Sequence, residues 1–163
     1  MRKKYGFKSQ NTKGKIGEKL FAEAYAKLGP VKQDKKSWID FVLTTLPSWT
    51  CKPNVEVKYD DMSQYTKNIF VEEFVFKHKK YPGGPWRALK SDANYVQFAL
   101  YNKTFYWFDA NMFINWIIHS KFPRKLGAYN TDGSNVGGYI IPIEQINNLE
   151  NNILIHKQIY DKI

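Results

Sequence analysis

Residues 54–60, NVEVKYD, alternate apolar and polar side chains with a period of two, and no other stretch restricts the fold as tightly. Successive side chains of a strand point to opposite faces. Val55 and Val57 therefore share one side, and Glu56 and Lys58 the other, about 6–7 Å apart along the chain. Opposite charges so placed are either an idle surface ion pair or half of a metal site, and the neighbouring elements decide between the two.

Upstream, KGKIGEKLFAEAYAKLG predicts a helix from about residue 13 to 28, because Ile16, Leu20, Phe21, Ala24, Tyr25 and Leu28 recur at helical spacing. Gly29-Pro30 stops it. Gly17 falls inside the apolar arc, where a missing side chain permits close packing. Glu18 lies at the edge of that arc, looking along the core boundary towards a sheet. SWIDFVLTTL (37–46) predicts a strand with Asp40 inside it, antiparallel to 54–60, and NIFVEEFVF (68–76) a third.

YPGGPW (81–86) reads as a loop, with two prolines and two glycines in six residues. Residues 95–101 and 104–108 suggest a hairpin, 110–119 an amphipathic helix, 121–138 an irregular stretch, and 138–146 a strand entering a short helix near Pro142. This order predicts an α/β (α+β) fold, one domain with a central mixed β-sheet flanked by helices. At 163 residues a single core suffices. The expected division is a basic flexible arm over 1–12 followed by one domain over 13–163.

Charge points to the partner. The formal net charge is +10, and residues 1–36 carry eleven Lys or Arg against Glu18, Glu23 and Asp34. A cationic surface of this kind attracts polyanions and releases counterions on binding. Cys51 is the single cysteine, which excludes an intramolecular disulfide framework and a cysteine-rich zinc site. No apolar run approaches the length of a membrane span, and MRKKYGFKSQ lacks the apolar core of a signal peptide. An intracellular (cytoplasmic) protein with no membrane partner is expected. His78, His119 and His156 lack metal-ligand spacing.

Asp40 and Glu56 are acids inside apolar, β-branched runs, a costly placement unless they are solvated, paired or bound to metal. On neighbouring strands they converge at one sheet face. Two carboxylates and a backbone carbonyl, that of Val57, make the hard oxygen set that Mg²⁺ prefers. Lys58 beside them suits neutralisation of charge on a phosphoryl oxygen. An exposed ion pair would add at most about 1 kcal/mol, a poor reason for placing acids in two apolar strands. Glu72 is a candidate auxiliary acid. Asp60, Asp61 and Gln64 fit either a polar turn or the site, and Lys90 fits a phosphate contact or a helix end. The aromatic residues of 95–108 belong to the core rather than to a base-stacking surface.

Asp40, then Glu56-Val57-Lys58, preceded by a helix carrying Gly17-Glu18, resembles the PD-(D/E)XK nuclease superfamily. KGKIGEKLFAEAYAKLG is similar to the opening helix of archaeal-type and phage Holliday-junction resolvases. NIFVEE, GGPWRALKSDANYVQFAL and YWFD look like small phage nucleases of the same superfamily. The resemblance covers roughly residues 13–110; Ile39 stands where a proline often precedes the Asp. It implies a restriction-endonuclease-like core and Mg²⁺-dependent phosphodiester hydrolysis, with Mn²⁺ as a substitute. Asp40 and Glu56 would be metal ligands with the Val57 carbonyl, Lys58 the catalytic lysine, and Glu18 a helix carboxylate serving the metal. It implies a DNA partner, preferably branched, and a homodimer. The alternatives are a restriction-like or single-strand-processing nuclease, and a DNA-binding protein of this fold without catalysis.

Overall fold

The computed structural model describes residues 7–34, 37–76, 78–126 and 135–163, the side chains of 7–12 excepted. Residues 1–6 of the expected arm and 127–134 of the expected irregular stretch lie outside them. Helix α1 (Phe7–Ala24) begins six residues before its expected start, since nothing between Phe7 and Thr12 is a helix breaker. A 3-10 turn, Ala26–Leu28, and Gly29 in the left-handed region end it.

The chain continues through β1 (Pro30–Lys32), β2 (Phe41–Leu43), β3 (Asn54–Asp60), α2 (Ser63–Thr66), β4 (Asn68–Phe76), β5 (Lys80–Pro82), α3 (Gly84–Lys90), β6 (Ala93–Ala99) and β7 (Thr104–Phe108). Then come α4 (Ala110–Ser120), β8 (Arg124–Leu126), β9 (Asn135–Pro142), α5 (Ile143–Asn147) and β10 (Leu154–Ile159). No helix among the described residues is long and apolar enough to cross a membrane.

The fold is α+β, one domain with two sheets rather than the expected one. The larger has the order β1-β2-β3-β6-β7-β10 and the smaller β5-β4-β9-β8. Strand β3 pairs antiparallel with β2 and parallel with β6, so the larger sheet is mixed. Strands β3 and β4 have their expected boundaries, but β4 leaves the larger sheet to pair with β5 and β9.

Strand β2 is much shorter than the expected 37–46. At its start the carbonyls of Ser37 and Trp38 accept from Arg87 instead of a strand neighbour. At its end the N–H groups of Thr44 and Thr45 donate to Leu28 and Gly29 at the end of α1. Asp40 therefore stands one residue before β2 and not in mid-strand, although its N–H still donates to Val55 O (2.9 Å).

The expected loop 81–86 is also corrected. It is the end of β5 and the first turn of α3, where Pro85 costs nothing because the first helical N–H groups have no intrahelical acceptor.

Two apolar cores lie on opposite faces of the larger sheet. On one, Leu20, Phe21 and Tyr25 of α1 cover Val55, Val57, Val96, Phe98, Phe105 and Trp107. On the other, β4, β9 and α4 bury Ile69, Val71, Tyr139, Ile141, Phe113 and Ile117 against Tyr95, Tyr106 and Phe108. The aromatic residues of β6 and β7 are thus core, as expected from sequence, whereas Tyr101 at the turn between them is exposed. Gly17 sets the distance of α1 from the sheet: a Cβ there would lie 2.5 Å from Tyr59 Cβ.

Candidate functional site

The second face of β3 is covered only in part. Where β4 departs from the larger sheet, a cleft of ≈ 610 Å³ opens between the two sheets. Its volume is that of sites which hold small molecules or parts of larger ones, about 300–1,000 Å³. Its lining includes Glu18, Asp40, Glu56, Val57, Lys58 and Glu72, so every residue singled out as a candidate ligand or catalyst faces one space.

Glu56 is only 1% exposed, which makes it the floor of the cleft. Its Oε1 lies 3.2 Å from Lys58 Nζ and its Oε2 3.9 Å from Arg87 Nε. Oε2 is buried without a hydrogen-bond partner. Burial pushes the Glu56 carboxyl up to about 7. The Lys58 charge opposes this, the nearby Asp40 charge adds to it, and Arg87 opposes it.

Asp40 reaches the same place from the residue just before β2. Its Oδ2 accepts from the Val57 N–H at 2.7 Å. The N–H and C=O of one residue in an extended strand point to the same edge, so the Val57 carbonyl shares the edge on which Asp40 sits.

Lys58 has its side chain 30% exposed, with Nζ 3.9 Å from Glu72 Oε1 as well as close to Glu56. Burial alone would lower its pKa. The carboxylates of Glu72, Glu56 and Asp40 outweigh this and hold the ammonium above the usual lysine range, against a smaller opposing effect of Arg87. Lys58 is therefore a fixed cation at neutral pH.

Glu72 precedes a bulge in β4, between Glu72 and Phe74. Strand alternation sends the two adjacent acids to opposite sides. Glu72 turns to Lys58, while Glu73 pairs with Arg124 on β8. Gly83 and Gly84 make room for Glu72: a Cβ on Gly83 would lie 2.4 Å from its Oε1, and one on Gly84, at φ +43°, 2.5 Å from its carbonyl oxygen.

Glu18 lines the cleft from α1, but its carboxylate is paired with Lys32 of β1 and not drawn to Asp40 and Glu56. Among the described residues no three His, Cys, Asp or Glu side chains converge in a metal-binding group. What the structure brings together is two acids, Asp40 and Glu56, with the cations Lys58 and Arg87.

Arg87 was not singled out from sequence. It donates to Trp38 O at 3.0 Å and Ser37 O at 3.4 Å while facing Glu56, so it ties α3 to the segment that delivers Asp40. The available signal was Gly-Pro at a helix start, which would have placed Arg87 on a helix packed near β3.

Asp60 has a structural role. Its carboxylate accepts from Ser63 N (3.1 Å) and from Phe70 N (2.7 Å), joining the end of β3 to the start of β4. Asp61 pairs with Lys13. Lys90 lies over the Trp38 ring, 5.8 Å from its centroid, and does not line the cleft.

No family model matches the chain, and no curated protein or solved structure matches it.

Proposed function

We propose that the chain is a metal-dependent DNA nuclease with a restriction-endonuclease-like core of the PD-(D/E)XK type, acting on branched DNA. The observation that carries the reading is the orphaned Oε2 of Glu56, buried beside a second carboxylate at the floor of a cleft in a strongly basic protein. Burying an ionised carboxylate without full compensation costs several kcal/mol, and the contacts with Lys58 and Arg87 leave Oε2 without a hydrogen bond. Placing Asp40 beside Glu56 adds repulsion. A divalent cation relieves both terms.

The donor set fits Mg²⁺, with Mn²⁺ as a substitute: carboxylate oxygens of Asp40 and Glu56 and the carbonyl of Val57 are hard oxygen ligands. Bound there, the cation would act as a Lewis acid on a phosphoryl oxygen.

The chain's own groups have separable roles in this reading. Lys58, held protonated by three carboxylates, neutralises charge developing on the phosphate rather than removing a proton. Glu72 fixes the Lys58 ammonium in place. Arg87 positions Asp40 through the Ser37 and Trp38 carbonyls. Glu18, on the helix that Gly17 seats against Tyr59, borders the same cleft and orients the attacking water once exchanged from Lys32. The basic surface holds backbone phosphates, which position DNA without reading its sequence. Two copies of the chain, one per cleaved strand, complete the proposal for junction DNA.

The test incubates a four-way junction, a linear duplex and a single strand with Mg²⁺ or with EDTA, using wild type and Lys58→Ala. Metal-dependent cutting lost in Lys58→Ala is expected. No metal-dependent cutting of any substrate removes the enzyme reading and leaves a DNA-binding protein. Equal cutting of junction and linear duplex removes the preference for branched DNA.

A further inference from the structure

The smaller sheet contributes an apolar patch to the cleft, Phe70 of β4 with Val136 and Ile140 of β9, beside Glu72 and Lys125. Phe70 and Ile140 are direct cross-strand partners. Phosphate chemistry has no use for such a surface, and the acids and cations of the floor already define where a phosphate would sit. Phe70 is also the most firmly held residue of that patch. Its N–H donates to Asp60 Oδ2 at 2.7 Å, and its carbonyl accepts from Gln97 Nε2 at 3.3 Å. Gln97 is itself 1% exposed and accepts from Tyr95 OH at 2.5 Å.

Under the Phe70 ring lies Gly138. A Cβ on that glycine would come 2.2 Å from Val71 O and 2.9 Å from the ring's Cζ, so the missing side chain lets the strand and the tip of the ring pack closely while Phe70 lines the cleft. Phe70 and Glu72 stand on the same face of β4, one step of about 6.5–7 Å apart. Glu72 in turn touches Lys58. An aromatic ring on a backbone held at both polar groups therefore stands two residues along β4 from Glu72, whose carboxylate touches Lys58.

We propose that this patch is a nucleobase-stacking subsite, which takes the base of an unpaired nucleotide next to the phosphate at Lys58. The substrate class is then branched DNA that offers unpaired nucleotides, a flap, a fork or a junction opened at its branch point, rather than continuous duplex. This rests on the nuclease reading of the same cleft. The depth of Glu56 agrees with it: a paired and stacked base cannot turn into a recess of ≈ 610 Å³, whereas an unpaired strand can pass its backbone over the floor while its base lies on Phe70. Every base has a π-face, so the contact is tolerant of sequence. Lys125, beside the same patch, supplies a cation for the adjoining phosphate.

The experiment measures binding in EDTA, where no cutting occurs, by fluorescence anisotropy of labelled oligothymidine. The comparison probes are an abasic strand of the same length and a blunt duplex. Proteins are wild type, Phe70→Leu, which keeps the apolar bulk and loses the π-face, and Phe70→Trp, which keeps it. Wild type should prefer oligothymidine to the abasic strand. Phe70→Leu should lose about 5- to 150-fold of oligothymidine affinity, the span of base–aromatic stacking, with abasic and duplex binding changed less than about twofold. Phe70→Trp should retain the preference.

Equal wild-type affinity for oligothymidine and the abasic strand overturns the proposal without any variant having to fold. So does a folded Phe70→Leu that weakens both strands alike or neither. Base discrimination by a protein that cuts nothing with Mg²⁺ leaves the subsite standing and removes the nuclease. Mg²⁺-dependent cutting without base discrimination does the reverse.

Discussion

Two glycines of α1, three residues apart, make opposite predictions about the same substitution. At Gly14 no described atom lies within 4 Å of a built Cβ; at Gly17 the Cβ would lie 2.5 Å from Tyr59 Cβ and 3.5 Å from Tyr59 Cα. The close atoms at Gly17 belong to the root of a strand residue, not to the end of a flexible side chain. Relief therefore requires the helix itself to move away, by about 1 Å. Alanine in place of glycine inside a helix gains about 1 kcal/mol, and Gly14→Ala should show that gain. Overpacking of a close-fitted contact costs about 1–3 kcal/mol, so Gly17→Ala should come out neutral to about 2 kcal/mol destabilised. The helical gain cancels between the variants, and their difference isolates the contact, about 1–3 kcal/mol. For a domain of this size that is a melting-temperature difference of about 2–12 °C, read by circular dichroism with a urea titration to check that m is unchanged. A shifted α1 would also carry Glu18 away from the cleft it lines, so on the proposed reading any Mg²⁺-dependent cutting should fall in Gly17→Ala. A Gly17→Ala protein that melts as high as Gly14→Ala would refute the reasoning, because it would show that α1 is not seated on β3 through that residue.

Arg87→Met should destabilise by about 1.5–3 kcal/mol through the loss of charge-assisted bonds to the Ser37 and Trp38 carbonyls, and thermal melting reads it. Arg87→Lys should recover little, since an ammonium on a flexible stem does not reproduce the guanidinium fork. Two groups set the pH dependence with opposite signs. Glu56 titrates higher folded than unfolded because of its burial, so its contribution is fully present below about pH 4.5 and lost as pH rises through about 7. His156 is lowered, by burial against a weaker opposing hydrogen bond with Gln158, so its contribution is present above its unfolded value and lost as pH falls through the folded one. Melting temperature against pH should therefore tilt towards acid-side loss in Glu56→Gln and towards alkaline-side loss in His156→Gln. Profiles parallel to wild type would contradict both assignments.

The period of two in NVEVKYD and the apolar, β-branched runs of NIFVEEFVF were enough to place β3 and β4 to the residue. The period of two also placed Glu56 and Lys58 on one face, because alternation is a local property that tertiary packing reinforces. Which sheet β4 joins was not legible, since pairing is decided by partners such as β9 far along the chain. Alternation from the core residues Ile69 and Val71 puts Glu72 on the cleft side, and the bulge that follows it resets the faces of later residues without leaving a mark in composition. Helix α3 was hidden by its own start, where glycine and proline signal a turn and a helix N-terminus equally. With the helix went Arg87, whose role exists only once α3 meets the carbonyls before β2. Strand β10 was missed because His156, Lys157 and Gln158 dilute the apolar pattern on an edge strand.

The carboxylate of Asp60 acts as a rivet. It belongs to the strand that carries Glu56 and Lys58, and it grips the backbone of the strand that carries Phe70 and Glu72. The two strands are joined by only the seven residues 61–67, and that grip closes the angle between them. The cleft is therefore a fixed aperture and not a jaw. Whatever enters must conform to it, so the shape change on binding falls on the ligand. Association should then follow a single phase whose rate rises linearly with ligand concentration, without the plateau that a closing protein imposes.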